Sequence, residues 1–450
     1  MQGFICATLG NVKGWREVNF SYEGKNSKPS KLSTLVVSRE ENVKPLIFIP
    51  HSLLESGILN DIKELSNNSE IEFDFVISPS FGKYDYEYNI RFYQLVFFYF
   101  HNFTKKFLSE ETENLKFFAD VSVGMNQLTF AMLEAFKFFR IFVEFLNLGK
   151  RKKPKFYIVY SEPVIGSNSD KVRFNIYKET FKPKAFLSLP IKWKEIRDVE
   201  SNIDKLPVSS EMKNELKKIT KSALYILTST IKNFPLVIYH LGYYPEKKIK
   251  KIMKNLISEL SPIMGSSESP PKFEKNEKNK IINYLFTKEG INYRLISNTF
   301  LLFSFYGGIS ALLEKNGIPE NGKQGEVIDD LYEKFSSIYR EIFGKDSPNE
   351  ILLAKDIDRL KKLTSNHKSS NSSISFNFGK DNPIIEKMWK NAQEYENEKF
   401  KTSKNPSHRN FIAHSGLLTN LLEYNPITRS IRYKNDTQTI KIIEDFIQKS

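Results

Sequence analysis

A chain of 450 residues is long enough for two or three domains, each with a core of its own. Its formal charge of +14 and pI near 9.3 favour an anionic partner, most commonly a nucleic-acid backbone, although the abundance of Lys and Asn is also a compositional habit. The single cysteine, Cys6, excludes an intramolecular disulfide framework and a cysteine-based zinc cluster. No uninterrupted apolar run reaches the ~18 residues of a membrane helix, and the opening MQGFICATLG has no basic leader, so a cytoplasmic protein is expected.

The first part alternates apolar strands with helical stretches, the pattern of a parallel α/β sheet. Strands are expected at Phe4–Thr8, Thr34–Ser38, Leu46–Ile49, Phe73–Ile77, Phe117–Val121, Phe156–Tyr160 and Val172–Tyr177. Helices are expected at Leu53–Leu65, Tyr88–Phe107 and Asn126–Leu146. This is a Rossmann-like order without the GxGxxG fingerprint. In such folds ligands bind beyond the carboxyl ends of the strands. Three loops lie there: Leu9, Gly10 and Asn11 with Trp15 and Arg16 close behind; Ser80, Phe81 and Gly82; and Asp120, Ser122, Gly124, Met125 and Asn126. The last is a strand-to-helix turn of small residues whose N–H groups suit a phosphate. Each loop taken singly is also an ordinary βα turn.

From about Pro190 helices take over, including Ser210–Lys232 and Ile249–Leu260. Ser266–Lys280, rich in Ser, Pro, Lys, Asn and Glu, reads as a flexible insertion. Asn283–Leu313 resumes the helical pattern. A final domain begins near Asp346, with helices at Pro348–Leu363 and Ile384–Lys399 around a Ser/Asn-rich loop.

The stretch Asn405–Asn420, NPSHRNFIAHSGLLTN, gathers Arg409, Asn410 and His414. Asn405 suits an N-cap and Pro406 the first helical position. A helix continuing from there puts Phe411, Ser415, Leu418 and Leu422 on one buried stripe. Its first turns are expected to offer N–H groups to a phosphate beside Arg409 and His414. Arg409 and His414, five residues apart, stand about 140° apart around the axis, a gap for a long side chain or a second copy of the helix to close. His408, on a different face from His414, is read as a secondary contact at most. His51, His101, His240 and His367 read as structural or solvated, and without HxxxH or HExxH spacing no metal site is expected.

Two resemblances follow. The turns LGNVKGWREV and ADVSVGMNQL and the strand end YIVYSEP, within roughly residues 1–185, resemble the CARF domain, the nucleotide-sensing module of type III CRISPR accessory proteins; Val123 stands where relatives often carry histidine. Arg409, Asn410 and His414 resemble the R-x(4–6)-H signature of HEPN ribonucleases. The resemblances imply an α/β plus all-α architecture: a Rossmann-like CARF domain (1–185), a helical connector with an insertion near 262–281 (186–345), and a HEPN helical domain (346–450). They further imply a homodimer that pairs two HEPN helices into one composite groove. A cyclic oligoadenylate, with tetra-adenylate the favoured ring, would bind across two CARF domains and activate metal-independent cleavage of single-stranded RNA. The catalytic residues would be Arg409, Asn410 and His414, and no cofactor is implied. Two other readings stay open: a ligand-responsive transcriptional regulator, and a ring nuclease that degrades the cyclic messenger.

Overall fold

A computed structural model of the chain describes residues 3–10, 16–56, 58–68, 71–109, 115–122, 124, 126–150, 152–163, 173–181, 193–266, 269–287, 293–365, 408–425 and 428–449. Two compact units result: Met1–Lys217 with Lys250–Ser304, and Lys218–Ile249 with Phe305–Ser450. This division does not follow the sequence boundaries near 185 and 345, because the helices read as a connector are shared out between the two units.

In the first unit, β1 (Gly3–Thr8) is buried at every position, as befits a parallel strand covered on both faces. β2 (Asn19–Tyr22) and β3 (Lys25–Asn26) form a hairpin, α1 (Ser33–Glu41) follows, and β4 (Lys44–Pro50) returns parallel beside β1. α2 (Ile58–Asn68) leads to β5 (Asp74–Ser78), and β6 (Gly82–Lys83) and β7 (Glu87–Asn89) precede α3 (Phe92–Ser109). β8 (Lys116–Asp120), α4 (Asn126–Leu146), β9 (Lys155–Ser161) and β10 (Arg173–Thr180) complete a sheet of order β3-β2-β10-β9-β8-β1-β4-β5. The five strands from β9 to β5 are parallel. The sheet as a whole is mixed, because β10 runs antiparallel to β9 and β3 antiparallel to β2.

Three expectations are corrected here. Thr34–Ser38 is helix rather than strand: β1 and β4 are parallel neighbours and need a crossover, and α1 supplies it despite its Thr-Leu-Val-Val run. The helix expected from Tyr88 starts at Phe92, because 87–89 are taken up by β7. Part of the insertion read as flexible is ordered: β11 (Phe273–Asn276) pairs with β12 (Ile281–Tyr284), which joins β7 in a second sheet of order β11-β12-β7-β6. That pairing joins residues 194 positions apart, so local composition carries no sign of it.

Side chains along β1 alternate between two cores. Ile5 packs with Val36, Val37, Phe118 and Val159, whereas Phe4 meets Phe103, Phe117 and Phe139 from α3, β8 and α4. Phe139 is the hub of the second core, with ring centroids 5.0–6.3 Å from Phe4, Phe103, Phe107, Phe117, Phe136 and Phe156.

The remaining helices are α5 (Trp193–Asn202), α6 (Ser210–Ile231), α7 (Pro235–Leu241), α8 (Glu246–Met264) and α9 (Tyr293–Lys315). Among the described residues α9 alone is long and apolar enough to cross a membrane, and 83% of its apolar window is buried inside the protein. The second unit adds β13 (Glu326–Val327), α10 (Ile328–Phe343), α11 (Pro348–Ser365), α12 (His408–Ala413), β14 (Leu422–Asn425), β15 (Ser430–Tyr433) and α13 (Thr437–Lys449). It is not purely helical, since β13, β15 and β14 form a small antiparallel sheet. The helix expected at Ile384–Lys399, like Asn405 and Pro406, lies outside the described residues.

Replacing Phe139 by Ala removes the common neighbour of six rings and is expected to cost about 3–5 kcal/mol, read from denaturant unfolding. A second expectation concerns Glu41. Burial opposes its ionisation, but hydrogen bonds from Lys116, Lys178 and Tyr22 prevail and hold its pKa at about 2. A folded-state pKa below the unfolded one adds stability at neutral pH, and that stability is lost as pH falls from about 4.5 through about 2. The melting-temperature gap between wild type and Glu41→Gln should therefore be widest near pH 7 and close across that window.

Candidate ligand and catalytic sites

The order β9-β8-β1-β4-β5 places the point where chain progression reverses between β1 and β8, and the crevice of such a sheet opens there, beyond the carboxyl ends. Two sequence-predicted turns meet at that point. A Cβ added to Gly10 would sit 3.7 Å from the Gly124 Cα, an ordinary contact. Gly124 has φ +107°, and a Cβ there would lie 2.2 Å from Thr8 Oγ1 and 2.6 Å from Thr8 O, so only glycine fits. Asn126 opens the 21-residue helix α4 on the same edge and is exposed. Asn11, Trp15 and Met125 lie outside the described residues.

Other candidates at this edge support the turns rather than face solvent. Leu9 is fully buried among Leu32, Leu35, Ile47 and Ile49, and its N–H donates to Phe48 O at 2.8 Å. Asp120 has no exposure: the hydroxyls of Ser33 and Thr34 donate to its Oδ2 at 2.8 and 2.7 Å, and the Ser122 N–H and hydroxyl donate to its Oδ1. Ser122 Oγ in turn accepts the Ser161 N–H at 2.8 Å. Beyond β5, Ser80 is buried. Its hydroxyl donates to Ser52 Oγ and its N–H to Tyr284 Oη at 3.0 Å, and that same Tyr284 hydroxyl lies 3.1 Å from His51 Nδ1. Tyr284 ends β12 of the β11–β12 hairpin, at the start of the stretch Asn283–Leu313 read as helical, so this hairpin braces the sheet's carboxyl edge. Burial, aided by the charge of Lys275, lowers the His51 pKa to about 4, so this ring is neutral at pH 7. Phe81 and Gly82 follow, Phe81 being 39% exposed.

In the second unit, α12 is six residues long. Phe411 anchors it, fully buried with ring centroids 4.7 Å from Phe234 and 5.2 Å from Phe446. Arg409 is exposed, Asn410 half-buried, and the half-buried His408 ring stands 5.7 Å from Phe446. The helix expected to run on to Leu422 stops at Ala413. Ser415 (φ 51°) and Gly416 (φ 73°) turn left-handed, and the Gly416 N–H closes back on Phe411 O at 2.8 Å. Tyr433 locks the reversal by donating to Gly416 O at 2.6 Å. Phe411, Ser415, Leu418 and Leu422 are all buried as expected, but by folding back of the chain rather than along one helical stripe. His414 consequently sits at the carboxyl end of the short helix, so the phosphate cradle expected at its first turns does not include it.

The reversal brings His414 to α11. Its Nδ1 lies 3.3 Å from Asp356 Oδ1, while the Ser415 hydroxyl donates to Asp356 Oδ2 at 2.7 Å and Asn233 Nδ2 donates to Ser415 Oγ at 2.8 Å. Arg359 stands beside the carboxylate, Nε to Oδ1 3.5 Å, and its Nη2 donates to Leu417 O at 2.7 Å. Burial lowers the Arg359 pKa, against the raising influence of Asp356. The Asp356 side chain is 8% exposed and that of His414 20%, so a buried carboxylate backs a ring that reaches solvent. Such a ring can exchange protons with a bound substrate. Sequence reasoning missed Asp356, Arg359, Ser415 and Asn233. One signal was available: Leu353, Asp356, Ile357 and Leu360 share a helical face, and a charged residue inside an apolar stripe calls for a partner.

Residues 4–163, 160 of the 450, match a family model described as the CARF domain of the CRISPR system endoribonuclease Csx1. This segment is similar to a CARF domain. The match ends with β9 and leaves the second unit uncovered. No curated protein matches. Among solved structures, Enterococcus italicus Csm6 bound to cyclic hexa-2'-fluoro-hexa-dAMP aligns over 99% of this chain and 92% of its own, at 10% identity and a TM-score of 0.23, a superposition too loose to carry an argument.

The CARF-like crevice generates a paired prediction. Gly124→Ala should destabilise the protein by more than about 1 kcal/mol, because both its φ and the Thr8 contacts forbid a Cβ, whereas Gly10→Ala should be close to neutral. Thermal unfolding of the two variants against wild type measures the difference.

Proposed function

We propose that the protein is an endoribonuclease of CRISPR antiviral defence that cleaves single-stranded RNA when a cyclic oligoadenylate occupies its CARF-like domain. The observation that carries this reading is the match of residues 4–163 to the CARF domain of an endoribonuclease, in a chain whose other unit presents Arg409, Asn410 and His414 on one short helix and its exit turn. The ligand's phosphates lie over Gly10, Ser122, Gly124 and Asn126 at the amino end of α4, with Phe81 and Gly82 nearby; Asn11, Trp15 and Met125, outside the described residues, are assigned to the same ligand from the sequence alone. Leu9, Asp120 and Ser80 hold these turns from behind.

RNA carries its own nucleophile. The 2′-oxygen attacks the adjacent phosphorus, the bond to the 5′-oxygen breaks, the 2′-hydroxyl proton leaves and the 5′-oxygen is protonated, giving a 2′,3′-cyclic phosphate and a 5′-hydroxyl without a metal. His414 carries one of these protons, Arg409 holds the non-bridging oxygens, Asn410 orients the phosphate, and His408 touches RNA at the margin. Two copies of the motif meet in a homodimer, which closes the angular gap between Arg409 and His414. A two-fold ligand site favours an even ring, tetra-adenylate foremost. The ligand acts allosterically by favouring one arrangement of the dimer.

The test is cleavage of labelled single-stranded RNA in EDTA, with and without cyclic tetra- or hexa-adenylate. Wild type should cut only with ligand and leave 2′,3′-cyclic phosphate ends, and His414→Ala should be slower by about 10²- to 10⁴-fold. Undiminished cleavage by the variant would remove His414 from the site, and loss of wild-type activity in EDTA would overturn the metal-free mechanism.

A further inference from the structure

We infer that Asp356 is a positioning residue for His414, held in its working orientation by Ser415 and Asn233. The inference rests on the reading of His414 as the proton-transfer group and adds to it the residues that decide which ring nitrogen does the work.

Asn233 gives an amide N–H to Ser415 Oγ, so the serine's own proton is what it has to give, and it goes to Asp356 Oδ2 at 2.7 Å. With Oδ2 committed, the carboxylate plane is fixed and Oδ1 faces His414 Nδ1 at 3.3 Å. An ionised carboxylate only accepts, so Nδ1 must carry the proton, and the neutral ring then has its lone pair on Nε2. Nε2 is therefore the atom that takes or returns a proton.

Two features show that the local backbone is arranged around this contact. Ser415 adopts φ 51°, uncommon for a residue with a Cβ, and the two hydrogen bonds on its side chain hold it there. Arg359 lies beside the same carboxylate and reaches over to Leu417 O, tying the segment after the turn to α11. The carboxylate comes from a residue 58 positions earlier in the chain, so only the fold brings the pair together.

The experiment uses the full chain with cyclic tetra-adenylate. Asp356→Asn should lower kcat by about 10²-fold or more while leaving KM within about twofold, since an amide opposite Nδ1 accommodates the wrong tautomer. Ser415→Gly, which keeps the left-handed turn and removes the side chain that holds Asp356, should lower kcat in the same direction by a smaller factor. Nitrogen-15 NMR of histidine-labelled wild type at neutral pH should show the His414 proton on Nδ1. This last measurement needs no variant and decides the matter should Asp356→Asn fail to fold. A wild-type His414 protonated on Nε2, or an Asp356→Asn enzyme with wild-type kcat beside an inactive His414→Ala, would overturn the inference and leave the nuclease reading standing. An active His414→Ala would instead strike at the nuclease reading itself.

Discussion

A carboxylate sealed from water sets the shape of the N-terminal unit's working edge. Asp120 ends β8 and accepts hydrogen bonds from Ser33, Thr34 and twice from Ser122. A charge in that position is tolerated only when its lone pairs are filled, so the interaction fixes everything that fills them. The start of α1 is pinned to the end of β8, and the turn leading to Gly124 is pressed against Thr8 with no room for a Cβ. Among the described residues, the crevice between β1 and β8 is thus framed by contacts within the protein itself.

The second unit uses the same device for a different end. Asp356 also secures a turn through a serine hydroxyl, Ser415 here as Ser122 there. The difference lies in what else surrounds the carboxylate. Asp120 takes neutral donors alone and is a static brace, whereas Asp356 stands between the buried guanidinium of Arg359 and a solvent-reaching imidazole. One carboxylate braces the turns at the sheet's carboxyl edge, and the other lies against a ring that reaches solvent.

Much of the first unit was legible from local pattern. The helix Asn126–Leu146 falls on the expected residues, and the strands at Phe4, Leu46, Phe117 and Phe156 fall within about two residues, because buried parallel strands and long amphipathic helices carry strong periodic signals. Thr34–Ser38 misled because its β-branched run is a local preference, while the need for a crossover between β1 and β4 belongs to the whole sheet. The β11–β12 hairpin was hidden for the same kind of reason: its polar residues read as loop until β7 offers a strand to pair with. At the candidate catalytic site Arg409, Asn410 and His414 were visible as a cluster. The carboxylate behind His414 was not, since nothing in NPSHRNFIAHSGLLTN refers to residue 356.

By itself the sequence determined the alternation of strands and helices, the glycine-bearing turns at the carboxyl edge and the grouping of arginine, amide and histidine near the chain's end, all of which are encoded by neighbours a few residues apart. Only the tertiary structure decided that Leu9 and Asp120 stand behind the crevice instead of in it, that α12 ends at Ala413, and that His414 turns toward Asp356. Those outcomes depend on which distant groups satisfy a buried carboxylate or a reversed backbone, and that matching of donors to acceptors exists only once the chain has folded.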